Sequence, residues 1–149
     1  MDGNRKTVSI GIFAHNEADN IVQTLASLAE QDIFNDITRF KVQVSVIANG
    51  CTDKTVEISA AYLEKITTFV GKVIEIDKPG KSNAWNEFIH SVDSQYVDYF
   101  VCMDSDITFG SCDVISSLLE ALANSKEANL SIDIAQKDTV LKSRKSFIE

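Results

Sequence analysis

With one proline, six glycines and three cysteines in 149 residues, this chain has few breakers and no obvious cross-links. So little proline and glycine excludes collagen-like and low-complexity architectures and gives no sign of an interdomain linker. Cys51, Cys102 and Cys112 are odd in number and form no CxxC pair. That argues against a disulfide framework or a zinc site and for reduced thiols in an intracellular setting. Cations are in deficit too: 14 Lys and Arg stand against 22 Asp and Glu, for a net charge of −8. Such a balance disfavours nucleic acid and anionic membrane as partners, and it obliges any anionic ligand to find a local cation. No run approaches the roughly 20 apolar residues of a membrane span. The first six residues, Met1 to Lys6, lack the apolar stretch of a secretory leader. The expectation is a cytoplasmic protein, with association to the inner membrane face reserved for a longer form.

What is present is a hydrophobic content of 44%, enough for one core, so residues 1–149 are expected to form a single domain. Apolar, β-rich runs at Thr7–Ala14, Val42–Ala48, Val70–Ile76, Tyr96–Met103 and Leu130–Ala135 read as strands. Helical spacing predicts helices over Glu17–Gln31, from Val56 to Ile66, around Ala84–Ile89 and over Asp113–Asn124. Thr52 or Asp53 is available to cap the second helix. The basic tail from Lys137 to Glu149 reads as the start of another helix. Strands alternating with helices imply right-handed crossovers and a mostly parallel sheet, an α/β architecture of three α/β/α layers. Polar turns that follow parallel strands gather along one edge of such a sheet, where α/β proteins bind ligands.

Four of those turns carry chemistry. Asp104-Ser105-Asp106 follows the fourth strand. In an extended segment, residues i and i+2 point the same way, so both carboxylates can face one ligand. Two such charges about 4 Å apart repel by roughly 4 kcal/mol at an effective dielectric of 20. A divalent metal carrying phosphate oxygens relieves that repulsion; acids capping a helix or solvated in a turn are the plain alternative. Asn49-Gly50-Cys51-Thr52-Asp53 follows the second strand: Gly50 permits a left-handed turn, and Asn49 offers an amide that both donates and accepts, as a nucleobase edge requires. An ordinary strand-to-helix turn explains it equally simply. Gly80-Lys81-Ser82 resembles the end of a P-loop, but the first P-loop glycine would fall at Glu75. Lys81 at a helix start remains a fair phosphate ligand, beside the reading as a solvated loop lysine. After the first strand, backbone groups at Ala14 can line a base pocket, Glu17 sits in the first helical turn, and His15 taken alone reads as structural. No G-x-S-x-G elbow accompanies that histidine.

Taken together and in order, these segments resemble the family 2 glycosyltransferases, inverting enzymes with a GT-A fold. The family's P-x-Y-N-E corresponds to Phe13-Ala14-His15-Asn16-Glu17, and its D-D-G-S-T-D to Ala48-Asn49-Gly50-Cys51-Thr52-Asp53. Its G-K-G-x-A-x-N corresponds to Gly80-Lys81-Ser82-Asn83-Ala84-Trp85-Asn86, and its DxD to Asp104-Ser105-Asp106. The resemblance runs from about Thr7 to Leu122. It implies a nucleotide-diphosphate sugar donor, a UDP-sugar foremost, with Mg or Mn as cofactor. Carried over by position, Ala14, His15 and Glu17 border the nucleoside, and Asn49 stands where an acid usually reads the base. Lys81 lies near the base or diphosphate, Asp104 faces the ribose or sugar, and Asp106 with Asp104 holds the metal. Phe13, His15 and Asn49 depart from the usual Pro, Tyr and Asp. In the family the carboxylate base that deprotonates the acceptor belongs to the acceptor-binding half, here expected beyond Glu149. The chain therefore reads as a donor-binding part, with the acceptor, saccharide or lipid-linked, unassigned. A non-catalytic module with a GT-A-like fold is the alternative, and dimerisation through an exposed sheet edge is a further expectation. A nucleotidyltransferase would need a glycine-rich loop after the first strand, which Ala14–Glu17 lacks.

Overall fold

The computed structural model describes residues 5–91 and 96–132. The chain divides into two compact units, residues 1–116 and 117–149. The first unit is built on four parallel strands: β1 (Lys6–Ala14), β2 (Phe40–Asn49), β3 (Gly71–Ile76) and β4 (Tyr99–Asp104). They lie in the order β3-β2-β1-β4. Burial follows that order. From Val8 to Ala14, β1 is buried at every residue on both faces, whereas the outer strands β3 and β4 are mostly half-exposed. A strand covered on both sides has no polar face to alternate with, and so it reads as one apolar run.

Helices α1 (Ile21–Ala29), α2 (Thr55–Lys65) and α3 (Lys81–Ser91) make the crossovers, and α4 (Val114–Asn124) follows β4. Right-handed crossovers from β1 to β2 and on to β3 put α1 and α2 on one face, where they pack against each other. The return from β3 across the sheet to β4 puts α3 on the other face. There Ala84 and Phe88 close a core with Phe13, Ile47 and Ile76. Phe88 can seat only because β1 carries Gly11 opposite it: a Cβ there would lie 2.7 Å from the Phe88 ring. Phe13 stacks on Trp85 at 5.5 Å and meets Phe88 edge-on at 5.8 Å, filling the space between sheet and α3. Gln31, 1% exposed, spends its whole amide on backbone: Nε2 donates to the Ser111 carbonyl and Oε1 accepts from the Ile115 N–H. This buried polar group is thereby satisfied, and it ties the end of α1 to the start of α4.

Several boundaries differ from the sequence expectation. Helix α1 begins at Ile21 rather than Glu17, because Glu17–Asn20 forms a turn closed by the Asn20 and Ile21 N–H groups on the Glu17 carbonyl. Helix α3 begins at Lys81, earlier than Ala84. Val70 and Tyr96 were expected in strands; they are 87% and 70% exposed and precede β3 and β4. Of the fifth expected strand, Leu130–Ala135, the described residues 130–132 are irregular, with Leu130 and Ile132 both 77% exposed. Among described residues they pair with no strand, and alternation with Ser131 gives them too little apolar surface to nucleate one. The rest of that strand, and the helix expected from Lys137, lie outside the described residues. Among the described residues, no helix is long and apolar enough to cross a membrane.

Candidate active site

The sheet order sets the site. At the C-terminal ends of the strands the chain turns one way from β1 toward β2, while β4 lies on the other side, and a crevice opens at this reversal. It holds a cleft of about 400 Å³. Ala14, His15 and Glu17 line it from the β1 loop, Asn49 from the end of β2, Lys81 from the start of α3, and Asp104 and Asp106 from the end of β4. All seven residues singled out in the sequence thus meet in one cleft. Phe13, Pro79, Gly80, Ala84 and Ser105 complete its lining.

Register explains the convergence. Asp104 is paired with Phe13 across β1 and β4, so both side chains emerge on the α3 face of the sheet. Lys81, first residue of α3, therefore reaches Asp104, with Nζ 3.2 Å from Oδ1. At 71% and 58% side-chain exposure the pair is solvent-screened and contributes little to stability. Its interest is positional, since it brings a cation to the acidic pair. Ser105 between them is 2% exposed, and its carbonyl accepts from the Thr24 hydroxyl. This anchor keeps Asp104 and Asp106 on the exposed side of the turn, as their i, i+2 spacing requires.

The β1 and β2 loops are stitched together by Asn16, Asp53 and Thr55, none of which the motif reading counts among the site residues. Asn16 adopts φ 55°, a left-handed conformation that Asn tolerates better than most residues. Its Oδ1 accepts from the N–H groups of Thr52 (2.7 Å) and Asp53 (3.3 Å). The Thr55 hydroxyl accepts from Glu17 N–H at 2.8 Å, and Asp53 Oδ2 accepts from Ala18 N–H at 3.1 Å. Asp53 also receives the Thr55 N–H and hydroxyl at the first residue of α2, but the N-cap position is Lys54, so neither Thr52 nor Asp53 takes the expected place. The Thr55 hydroxyl, and after it the backbone N–H groups, hold the Asp53 carboxyl below the usual 3.8. The available signal was the cluster of Asn, Thr and Asp in two loops flanking strand ends, residue types whose side chains bond backbone in turns. Gly50, at φ 60°, turns β2 into this loop. Asn49 Oδ1 accepts from Gly80 N–H at 2.9 Å and joins the β3–α3 loop to the same frame.

Asp104 and Asp106 are the groups suited to a cation: hard carboxylate oxygens, both exposed on the cleft side. Among the described residues there is no cluster of three or more His, Cys, Asp or Glu. Two carboxylates alone are too few to enclose a divalent ion, but they fit Mg or Mn that completes its shell from water and phosphate oxygens.

The glycosyl transferase family 2 profile matches residues 9–148. No curated protein matches the sequence. Among solved structures, the chain is similar to the mannosyltransferase PcManGT from Pyrobaculum calidifontis, a complex with GDP-Man and Mn2+. The TM-score is 0.69 at 23% identity, over 83% of this chain and 34% of that one. It is also similar to residues 1–349 of S. aureus TarS, with TM-score 0.62, 18% identity and coverage of 87% and 38%. A UDP-GlcNAc complex of the same protein gives 0.60, 19%, 87% and 37%. These likenesses establish a GT-A fold, and the chain spans little more than a third of the length of these structures. The profile match over nearly the whole chain and the shared fold make this chain a member of glycosyl transferase family 2.

Proposed function

We propose that this chain is the donor-binding part of an inverting glycosyltransferase, and that the cleft takes a nucleotide-diphosphate sugar together with Mg or Mn. The observation that carries the reading is the meeting of a lysine, two carboxylates and the loops after β1 and β2 in one 400 Å³ cleft at the sheet's switch point. The relatives' complexes with GDP-Man and UDP-GlcNAc support it. Ala14, His15, Glu17 and Asn49 border the nucleoside, Asp104 faces the ribose or sugar, and Lys81 meets the diphosphate as a point charge. Asp104 and Asp106 hold the ion, which when bound neutralises negative charge on the departing diphosphate. In a chain of net charge −8, Lys81 and that ion supply the positive charge an anionic donor needs. Lys81 exchanges its contact with Asp104 for the diphosphate, which frees Asp104 for its own ligand. Inversion requires a base on the acceptor side. We assign it beyond Glu149, in an acceptor-binding part that completes the catalytic domain, in a cytoplasmic setting. The acceptor itself is left unassigned.

Calorimetry with UDP and GDP, each with and without Mn2+, tests the reading. The expected result is binding of a nucleoside diphosphate that Mn2+ strengthens and that Asp106→Asn reduces to its metal-free level. Absence of binding by either diphosphate, or an Asp106→Asn variant indistinguishable from the parent, refutes it.

A further inference from the structure

His15 lies in the wall of the cleft with Nδ1 2.7 Å from the backbone carbonyl of Asn49. A carbonyl only accepts, so Nδ1 carries the proton and donates. In the neutral ring that tautomer makes Nε2, on the opposite edge, a bare lone pair. Asn49 has the reverse polarity. Its Oδ1 is engaged by Gly80 N–H at 2.9 Å, which assigns the amide orientation and turns the Nδ2 donors away from that bond. The wall therefore offers one acceptor on residue 15 and donors on residue 49, although the motif leads one to expect an acceptor at 49.

We propose that His15 Nε2 is the specificity-determining acceptor for the base of the donor and that the base is uracil. Its ring N–H donates to His15, and a neighbouring carbonyl accepts from Asn49 Nδ2. Among the bases of ribonucleotides, uracil is the one whose polar edge carries a single N–H beside carbonyls. Cytosine and adenine bring an amino group whose second N–H would need another acceptor, and guanine brings three N–H groups on the same edge. With Asn49 Oδ1 already bonded to Gly80, those extra donors meet less acceptor capacity, and an unmatched donor in a pocket is costly. The acceptor function of the usual acid at position 49 has thus passed to its hydrogen-bonded neighbour at position 15. This inference rests on the donor-site reading above.

The test is calorimetry in Mn2+ with UDP, 3-methyl-UDP, in which the ring N–H is replaced, and inorganic pyrophosphate. The parent chain is compared with His15→Phe and His15→Gln. Losing one hydrogen bond is expected to weaken UDP about tenfold in His15→Phe, with pyrophosphate affinity unchanged. His15→Gln, which retains an acceptor, recovers part of the loss. The methyl group penalises the parent chain but adds no further loss in His15→Phe, since the two changes remove the same bond. Phenylalanine keeps a ring for stacking, so equal UDP affinity in His15→Phe overturns the proposal in favour of stacking alone. A methyl penalty undiminished in that variant, or an equal loss for pyrophosphate, also overturns it. A parent chain that binds neither UDP nor pyrophosphate refutes the donor-site reading itself, and this proposal with it.

Discussion

Gly50 couples the fold to the cleft, and Gly50→Ala is the substitution that exposes the coupling. Two costs add. Its φ of 60° is left-handed, which costs a residue with a Cβ about 1–2 kcal/mol. The new Cβ would also stand 2.8 Å from Pro79 Cβ, 3.0 Å from its Cδ and 3.1 Å from its Cα. Overpacking of that kind costs about 1–3 kcal/mol. The sum, about 2–5 kcal/mol, is a large share of the roughly 5–15 kcal/mol that holds a domain folded. Urea unfolding followed by circular dichroism and by the fluorescence of Trp85, the single tryptophan, measures it. Pro79→Gly removes two of the three close atoms, so the double variant should be less destabilised than the sum of the singles by about 1 kcal/mol or more. Nucleotide affinity should fall with stability, because displaced Pro79 carries Gly80 away from Asn49 and Lys81 away from Asp104. A Gly50→Ala shift under about 0.5 kcal/mol, or strict additivity with Pro79→Gly, would show that the Gly50–Pro79 contact is not what shapes this wall.

Other outcomes follow from the same frame. Gly11→Ala places a Cβ 2.7 Å from the ring of fully buried Phe88 and should destabilise by about 1–3 kcal/mol, with Phe88→Leu giving partial rescue in the same urea titration. Asn16→Gly keeps the left-handed turn but loses the bonds to Thr52 and Asp53, whereas Asn16→Ala loses both; unfolding midpoints should rank parent, Gly, Ala. The Lys6 side chain, then the Thr7 N–H, hold the Asp98 carboxyl below 3.8, as Thr55 does for Asp53. A depressed folded value stabilises the folded state above the unfolded value, and that contribution is lost as pH falls through the folded one. Stability should therefore drop below about pH 4, and Asp53→Asn should show a shallower acid loss than the parent chain. Burial pushes the Cys102 thiol up to about 11, so a thiol reagent at pH 8 should modify exposed Cys112 well before Cys102.

Much of the architecture is written locally. Strands β1 and β2 were legible because burial on both faces favours apolar, β-branched-rich runs such as Val8–Ile12 and Val44–Ile47. The edge strands were overextended because Val70 and Tyr96 are apolar without being covered, and composition cannot say where a neighbouring strand stops. Helix α1 was begun too early at Glu17 because its true first turn is shaped by partners far along the chain, Asp53 and Thr55. The seven cleft residues could be gathered from sequence because each ends or follows a parallel strand. What could not be read is the orientation of bonds between loops: Asn49 to Gly80, Lys81 to Asp104 and His15 to the Asn49 carbonyl. These depend on strand order and register, which no single segment encodes.

The sheet order also fixes when this cleft can exist. β1, first to be synthesised, sits between β2 and β4, and its link to the β4 end, Lys6 to Asp98, joins positions 92 residues apart. On the ribosome, β1 can pair with β2 early, but its other edge stays open until β4 emerges, on the order of seconds at about 5–20 residues per second. During that interval the apolar edge of Val8, Ile10 and Ile12 lacks its partner strand, a template for wrong pairing or for a chaperone. On the donor-site reading proposed above, no nucleotide can assist at this stage, because Asp104 and Asp106 arrive with the strand that closes the gap. Ligand can stabilise the finished sheet, but it cannot guide its assembly.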